Sequence, residues 1–376
     1  MSFVAELATP ALLLDEKKLD RNIARMKARL DGFGAPLRPH IKTAKSFEVF
    51  RRALPGAVGV TVSTLAEAEY AFESGVRDIL YAVGMAPQKL DRAVALRARG
   101  AELTLTVDSL EAARAVAERP PSAAGPIPVV VEIDCDGRRA GVPPASASAV
   151  DIAALLHQAA GARFRGVMTH AGGSYDCRTA DAIRKVAEVE RRAVVDTANS
   201  LAARNIACEI VSVGSTPTAT FAERFDGVTE VRVGVYMFQD LVMAGLGVCQ
   251  IDDIALSVLA SVIGRREEKG WIVIDAGWTA LSRDRGTASF PVDQGYGLVC
   301  DLEGRPIDDL IVVSCNQEHG IVARRGGGSL DVGRFAVGAK LRILPNHACA
   351  TAAQFPAYDV IDGARRVARY PRRNGW

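Results

Sequence analysis

The run Val129-Val130-Val131-Glu132-Ile133-Asp134 is the clearest strand in the chain, and its apolar character is that of a parallel strand covered on both faces. Before it, residues 102–107, 78–82, 59–62 and the start of the 37–46 stretch read as strands, as does Ala11-Leu12-Leu13-Leu14-Asp15 near the start of the chain. After it, residues 164–170, 209–213 and 230–233 do the same. Helical spacing fills the gaps: 20–31, with Ile23, Met26 and Leu30 on one face, then 65–74, 89–99, a helix capped by Ser109, 148–158 and 180–204. Strand–helix alternation repeated some eight times predicts a (β/α)8 barrel over residues 11–249. A doubly wound sheet fits less well, because no Gly-rich dinucleotide loop follows the first strand.

From about residue 251 the texture changes. Residues 255–263, 270–275, 310–314, 320–323 and 340–344 read as strands separated by Gly, Pro, Asp and Asn. A second, mainly β domain is expected over 250–376, joined by residues 1–10.

The composition, 49% hydrophobic and 24% charged over 376 residues, is that of a globular protein with material for a large core. A net charge of +2 with scattered basic residues argues against nucleic acid as a partner, and the basic tail 365–373 reads as solvated surface. Residues 1–10 do not form a secretory signal, and no apolar run approaches the ~18–20 residues that cross a bilayer, so no membrane association is expected. Seven cysteines without a CxxC pair point to the cytoplasm, with buried thiols and one available as a ligand.

Chemistry concentrates in a few stretches. In Leu37-Arg38-Pro39-His40-Ile41-Lys42-Thr43-Ala44-Lys45-Ser46, strand alternation would send His40 and Lys42 to the same, inward side. An inward lysine is costly unless neutral, paired or covalently occupied; taken alone, Lys42 would be a surface lysine beside a turn. Barrel enzymes carry their reacting groups on the loops after the strands, and four such loops stand out: Asp134-Cys135-Asp136-Gly137-Arg138-Arg139-Ala140-Gly141-Val142, Thr169-His170-Ala171-Gly172-Gly173-Ser174-Tyr175, Gly214-Ser215-Thr216-Pro217-Thr218 and Gly234-Val235-Tyr236. The last two follow the late strands, where small residues and hydroxyls suit a phosphate. A lysine on an early strand with a phosphate site across the barrel mouth is the pairing that pyridoxal phosphate needs.

Near the end of the chain comes Pro345-Asn346-His347-Ala348-Cys349-Ala350-Thr351. In extended chain His347 and Cys349 face one side, so imidazole and thiolate can converge on a cation; taken alone, the pair would be a core cysteine beside a capping histidine. Asn316-Gln317-Glu318-His319 offers hydrogen-bond partners to such ligands. Two protein ligands leave positions open for water or substrate, as in a catalytic rather than a structural site.

Together, Arg38-Pro39-His40-Ile41-Lys42, Gly214-Ser215-Thr216-Pro217-Thr218 and Pro345-Asn346-His347-Ala348-Cys349-Ala350-Thr351 resemble the D-serine dehydratase/D-threonine aldolase family, fold-type III pyridoxal phosphate enzymes with an alanine-racemase-like barrel and a C-terminal β domain. Its zinc-dependent D-threo-3-hydroxyaspartate dehydratase branch is nearest in texture, through Gly227-Val228-Thr229-Glu230-Val231-Arg232 and Asp275-Ala276-Gly277-Trp278 as well. The resemblance implies that Lys42 forms the Schiff base and that Arg139 approaches the cofactor's phenolic oxygen. By the same resemblance Thr216, Gly234 and Tyr236, with Ser215 in the same loop, hold the phosphate, and His170 and Tyr175 contact the ring. His347 and Cys349 match the metal pair. Aldolase members often show His-x-Asp with manganese; Cys349 departs from that and suits zinc.

The activity so implied is a lyase acting on small β-hydroxy D-amino acids, either dehydration to a 2-oxo acid and ammonia or retro-aldol cleavage to glycine and an aldehyde, with Glu318 or His319 as candidate bases for the latter. A racemase needs no metal and so fits less well, and small non-catalytic pyridoxal-phosphate-binding barrels lack the second domain. For a substrate's distal carboxylate, Arg283, Arg285 and Lys45 are candidates. A homodimer is expected by analogy, and His40 is given only a supporting place near Lys42.

Overall fold

The first strand, β1 (Ala11–Asp15), is followed by eight that alternate with helices: β2 (Leu37–Pro39), β3 (Val60–Val62), β4 (Asp78–Gly84), β5 (Glu102–Val107), β6 (Ile127–Ile133), β7 (Ala162–Thr169), β8 (Ile210–Val213) and β9 (Glu230–Val233). These eight pair in the order β2-β9-β8-β7-β6-β5-β4-β3, all in parallel, and a bridge between His40 and Thr61 joins β2 to β3 and closes the ring. The alternation read from the sequence is therefore a (β/α)8 barrel in this computed structural model, which describes residues 3–363 and 365–376.

Local chemistry fixes where the elements start. Thr64, Ser109, Ser146 and Thr179 each accept a hydrogen bond from a backbone N–H in the first turn of the helix that follows. Every residue of β6 is buried, as its apolar run requires, and Leu80, Val130, Met168 and Ile210 pack together from β4, β6, β7 and β8. At Gly166 (φ 143°) in β7, a Cβ would lie 1.9 Å from the Ile210 carbonyl oxygen, so this approach of β7 to β8 admits only glycine.

The barrel interior also holds charge. Arg38 donates to Glu230 Oε2 at 2.7 Å and to Asp78 Oδ1 at 2.6 Å. Ser212 donates to Glu230 Oε1 at 2.7 Å, while Arg232 donates to Ser212 and to the Thr169 carbonyl. Burial lowers the pKa of Arg232, against the pull of Glu230, Glu190 and Glu132.

The remaining strands are β10 (Leu256–Arg266), β11 (Trp271–Ile274), β12 (Leu298–Cys300), β13 (Pro306–Cys315), β14 (Gly320–Arg324), β15 (Lys340–Leu344), β16 (Ala357–Asp362) and β17 (Arg365–Pro371). They form one sheet in the order β11-β14-β13-β12-β15-β10-β1-β16-β17, with β11 also paired to β10, so six of the strands close on themselves. Two apolar clusters support this unit: Leu241, Ile254, Leu298, Cys300, Ile311 and Leu344, and Val4, Ala11, Leu13, Leu259 and Ile361.

Strand β1 belongs here and not to the barrel, since it pairs antiparallel with β10 and parallel with β16. The chain accordingly divides into one compact unit of residues 26–234 with 375–376 and another of residues through 25 with 235–374. The sequence reading had put the boundaries at 10/11 and 249/250: an apolar run such as Leu12-Leu13-Leu14 does not say which sheet it joins. The basic tail is largely exposed, although residues 365–371 pair with β16 as a strand and Arg372 is buried, donating to the Ala352 and Phe355 carbonyls.

Candidate functional site

Lys42 does not lie on a strand. Strand β2 ends at Pro39, and residues 41–44 form a turn at its C-terminal end, in which Lys42 is exposed. Strand alternation therefore does not place it, and the inward position expected from the sequence is corrected to one on the loop, where (β/α)8 barrels carry their chemistry. His40 shapes the turn. Its backbone N–H donates to the Val233 carbonyl at 2.7 Å, its Nδ1 accepts the Lys42 N–H at 3.4 Å, and its Nε2 lies 3.3 Å from Ser63 Oγ. Burial, with Lys42, Arg232, His170 and Arg139 around it, pushes the His40 pKa well below its ordinary value, so the ring is neutral. Since Nδ1 accepts, Nε2 carries the proton and donates to Ser63.

Arg139 projects, exposed, from the loop after β6, 3.4 Å from the buried Glu132 Oε1. The loop is ordered by Asp134 Oδ1, which accepts from Gly137 N at 2.7 Å and Asp136 N at 3.1 Å. Asp136 Oδ2 in turn accepts from Gly173 N at 2.7 Å in the loop after β7. There His170 Nδ1 donates to the Gly214 carbonyl at 2.8 Å, and the Tyr175 ring lies 6.5 Å from that of His170. Burial lowers the His170 pKa to about 3, helped by Arg139, Lys42 and Arg232 against the Gly214 hydrogen bond.

Of the hydroxyls in the 214–218 loop, two are engaged within it. Ser215 caps the helix Thr216–Phe221, accepting from Thr218 N at 3.2 Å while its own N–H donates to Thr218 Oγ1 at 3.1 Å. Both the side chain and the N–H of Ser215, a residue expected beside the cofactor, take part in this cap. Thr216 differs, for its buried Oγ1 has no hydrogen-bond partner. The Tyr236 hydroxyl, in the turn after β9, is likewise buried without one, and burial raises its pKa. An unsatisfied buried hydroxyl costs about 1–3 kcal/mol, so these two mark places where a ligand oxygen belongs. At Gly234, a Cβ would come within 2.9 Å of the His40 carbonyl oxygen. The barrel loops thus fit an anionic cofactor: cations at Lys42, Arg139 and Arg232, neutral imidazoles, and an unpartnered hydroxyl on the phosphate-type loop.

In the other unit, Pro345 and Asn346 are pinned from two directions. Their carbonyls accept from Leu241 N at 3.1 Å and Val242 N at 3.2 Å, and the Asn346 side chain donates to the Gly295 carbonyl at 2.6 Å and accepts from Thr287 Oγ1 at 2.7 Å. The chain then turns into the helix Ala348–Ala352, with His347 at its N-cap. The helix cap, and not strand alternation, sets the relation of His347 to Cys349, and Cys349 is among the groups that raise the His347 pKa. His347 Nδ1 lies 2.7 Å from Asp284 Oδ2. Asp240 accepts the Ala348 N–H at 2.9 Å and the Met243 N–H at 2.9 Å. Burial disfavours charge on His347, yet Cys349, Asp284 and Asp240 outweigh it and lift its pKa well above the ordinary value. Among the described residues no set of three His, Cys, Asp or Glu side chains is placed to hold a metal; an imidazole and a thiol, as at His347 and Cys349, are donor types that suit zinc.

Asp284 is the partner that sequence reasoning missed, because nothing in sequence links residue 284 to residue 347. The expected partners, Asn316 to His319, are exposed, and Glu318 accepts from Thr279 Oγ1 at 2.9 Å. Of the three candidate cations, Lys45 pairs with the buried Glu67 at 3.1 Å and Arg285 pairs with Asp293. Arg283, next to Asp284, is exposed over the Trp278 ring at 4.2 Å, with no salt bridge among the described residues.

Residues 14–241 match the alanine racemase N-terminal domain family, and residues 255–361 match a serine dehydratase domain family. The D-threo-3-hydroxyaspartate dehydratase of Delftia sp. (strain HT23) is 51% identical over 374 residues, which cover 98% of each chain. The chain belongs to the D-serine dehydratase/D-threonine aldolase family. The D-serine dehydratase of Dictyostelium discoideum is 30% identical, covering 97% of this chain and 96% of its own. A solved metal-free form of a D-threo-3-hydroxyaspartate dehydratase, with one cysteine changed to alanine, superposes with a TM-score of 0.97 at 50% identity, covering 100% of both chains. A second variant of that enzyme, with a TM-score of 0.96, has a histidine changed to alanine two positions before that cysteine, the spacing of His347 and Cys349. No described helix is long and apolar enough to cross a membrane.

The His170 shift has a consequence in the cofactor-free protein. A histidine held neutral to about pH 3 adds stability that is fully present above the unfolded pKa of ~6.5 and is lost as pH falls towards 3. Replacing His170 with asparagine should therefore flatten the acid slope of urea-unfolding free energy, by about 2 kcal/mol between pH 7 and pH 5.

Proposed function

We propose that this chain is a pyridoxal-phosphate- and divalent-metal-dependent lyase of β-hydroxy D-amino acids, acting as a dehydratase on D-threo-3-hydroxyaspartate or D-serine to give a 2-oxo acid and ammonia. The observation that carries the reading is the His347–Cys349 pair, braced by Asp284, in a chain whose barrel loops suit an anionic cofactor. Identity to the Delftia dehydratase over nearly all of both chains supports it.

Pyridoxal phosphate, when bound, supplies an electron sink for charge at the substrate's Cα. Lys42 would hold it covalently, with Thr216, Gly234 and Tyr236 around the phosphate, Arg139 at the phenolic oxygen, and His170 and Tyr175 against the ring. Lys42, on its turn at the C-terminal end of β2, would be the group that takes the Cα proton. A zinc ion on His347 and Cys349, with manganese the lesser candidate, would supply Lewis acidity at the β-oxygen. Asp284 fixes the His347 ring through Nδ1 and so presents Nε2 to the metal. Arg283, exposed and without a salt bridge among the described residues, would take the β-carboxylate of hydroxyaspartate. Cytoplasmic residence and a homodimer complete the proposal.

The retro-aldol alternative finds less support, since Glu318 and His319 lie exposed and Glu318 is hydrogen-bonded to Thr279. Incubation with D-threo-3-hydroxyaspartate, D-serine and D-threonine should yield oxo acid and ammonia from the first two. Glycine and acetaldehyde from D-threonine, with no oxo acid from the others, would make the chain an aldolase. Lys42→Ala should lose both the lysine–cofactor absorption near ~420 nm and the activity.

Removing the Arg283 charge should act on selectivity. In Arg283→Ala, kcat/KM for D-threo-3-hydroxyaspartate should fall relative to that for D-serine by roughly 10- to 100-fold, the range set by one charge-assisted hydrogen bond. An equal fall for both substrates would assign the carboxylate to another group.

A further inference from the structure

Glu190 lies on the long helix Ala180–Ala202, outside every motif that the sequence analysis singled out, and it is buried (2% exposed). One of its carboxylate oxygens, Oε1, accepts two backbone N–H groups from different loops: that of Ala171 at 2.9 Å and that of Gly214 at 3.2 Å. Thr218, which closes the cap with Ser215, is a further polar neighbour of the Glu190 side chain. Ala171 directly follows His170, and Gly214 directly precedes the Ser215-Thr216 segment. The two loops are joined again by His170 Nδ1 donating to the Gly214 carbonyl at 2.8 Å and by the 3.1 Å contact of the Ser174 and Ser215 hydroxyls.

We infer that Glu190 is a positioning residue that sets the spacing between the loop proposed to contact the cofactor ring and the loop proposed to hold its phosphate. The inference rests on the pyridoxal phosphate reading above. The physical argument is geometric. A backbone N–H buried in a loop must find an acceptor, and one oxygen serving two loops makes the position of each depend on the other. Gly214 (φ 143°) can follow only a narrow path, since a Cβ there would lie 2.0 Å from the Arg232 carbonyl oxygen, so the Gly214 N–H has little room to find another partner. A ligand that touches both loops gains from having them preset at the right separation, whereas a ligand touching one gains nothing from it.

That difference supplies the test. Cofactor-free wild type, Glu190→Ala and Glu190→Gln are titrated with pyridoxal phosphate and with pyridoxal, which lacks the phosphate, and binding is read from the lysine–cofactor absorption. Glu190→Ala should lose at least tenfold in affinity for pyridoxal phosphate while its affinity for pyridoxal changes less than threefold. Glu190→Gln, which keeps an oxygen for both N–H groups, should stay within threefold of wild type for both. Should Glu190→Ala not fold, Glu190→Asp draws the oxygen back by one methylene and should show the same selective loss. Unchanged affinity for pyridoxal phosphate in the folded variant, or equal losses for both ligands, would overturn the inference. Wild type that takes up neither ligand would instead overturn the cofactor reading on which it rests.

Discussion

Arg232 is a guanidinium with almost no access to water, and the barrel is arranged to tolerate it. Ser212 and the Thr169 carbonyl take its N–H groups, and Glu230, Glu190 and Glu132 supply opposite charge. Arg38 is bound into the same system through Glu230 and Asp78. Breaking such a network by removing one partner is costly, by about 3–5 kcal/mol, because it leaves another charge buried and uncompensated. The arrangement also sets the chemistry above it. Burial, with Arg232, Lys42 and Arg139 nearby, keeps His40 and His170 neutral, and they act as oriented hydrogen-bonding groups. The loops therefore present positive charge without charged imidazoles, which is what an anionic cofactor with a reactive ring requires.

The barrel was legible because its signal is redundant. Eight apolar runs alternating with helical spacing survive errors at any one of them, and β6 alone specifies a parallel strand covered on both faces. Strand β1 was misplaced because local pattern carries no information about pairing partners. The pairing of His347 with Cys349 was argued from strand alternation, whereas the chain turns into a helix at His347, so a helix cap sets the relation of these i, i+2 residues. Lys42 shows the reverse: the residue stood out, but inward burial was the wrong reason, for its turn begins once the strand has ended. Asp284 and Glu190 were invisible because each acts on a residue distant in sequence, one on a side chain and the other on backbone N–H groups that no side-chain motif records.

The account assigns two tasks to two compact units. On the proposed function, turn and loop residues of the barrel would hold the cofactor, and a His–Cys pair on a pinned segment of the β unit would hold a metal. Each unit supports its own site with carboxylates: Glu190 and Glu132 in one, Asp284 and Asp240 in the other. Cofactor capture and the fate of the β-oxygen should accordingly be separable properties of one chain.

Stripping the metal with a chelator from cofactor-loaded protein tests that separation most directly, with absorption near ~420 nm and oxo acid formation from D-threo-3-hydroxyaspartate followed together. The account predicts that the absorption persists while oxo acid formation is lost, and that zinc restores it. Loss of the absorption together with the metal, or oxo acid formation that continues without it, would contradict the account.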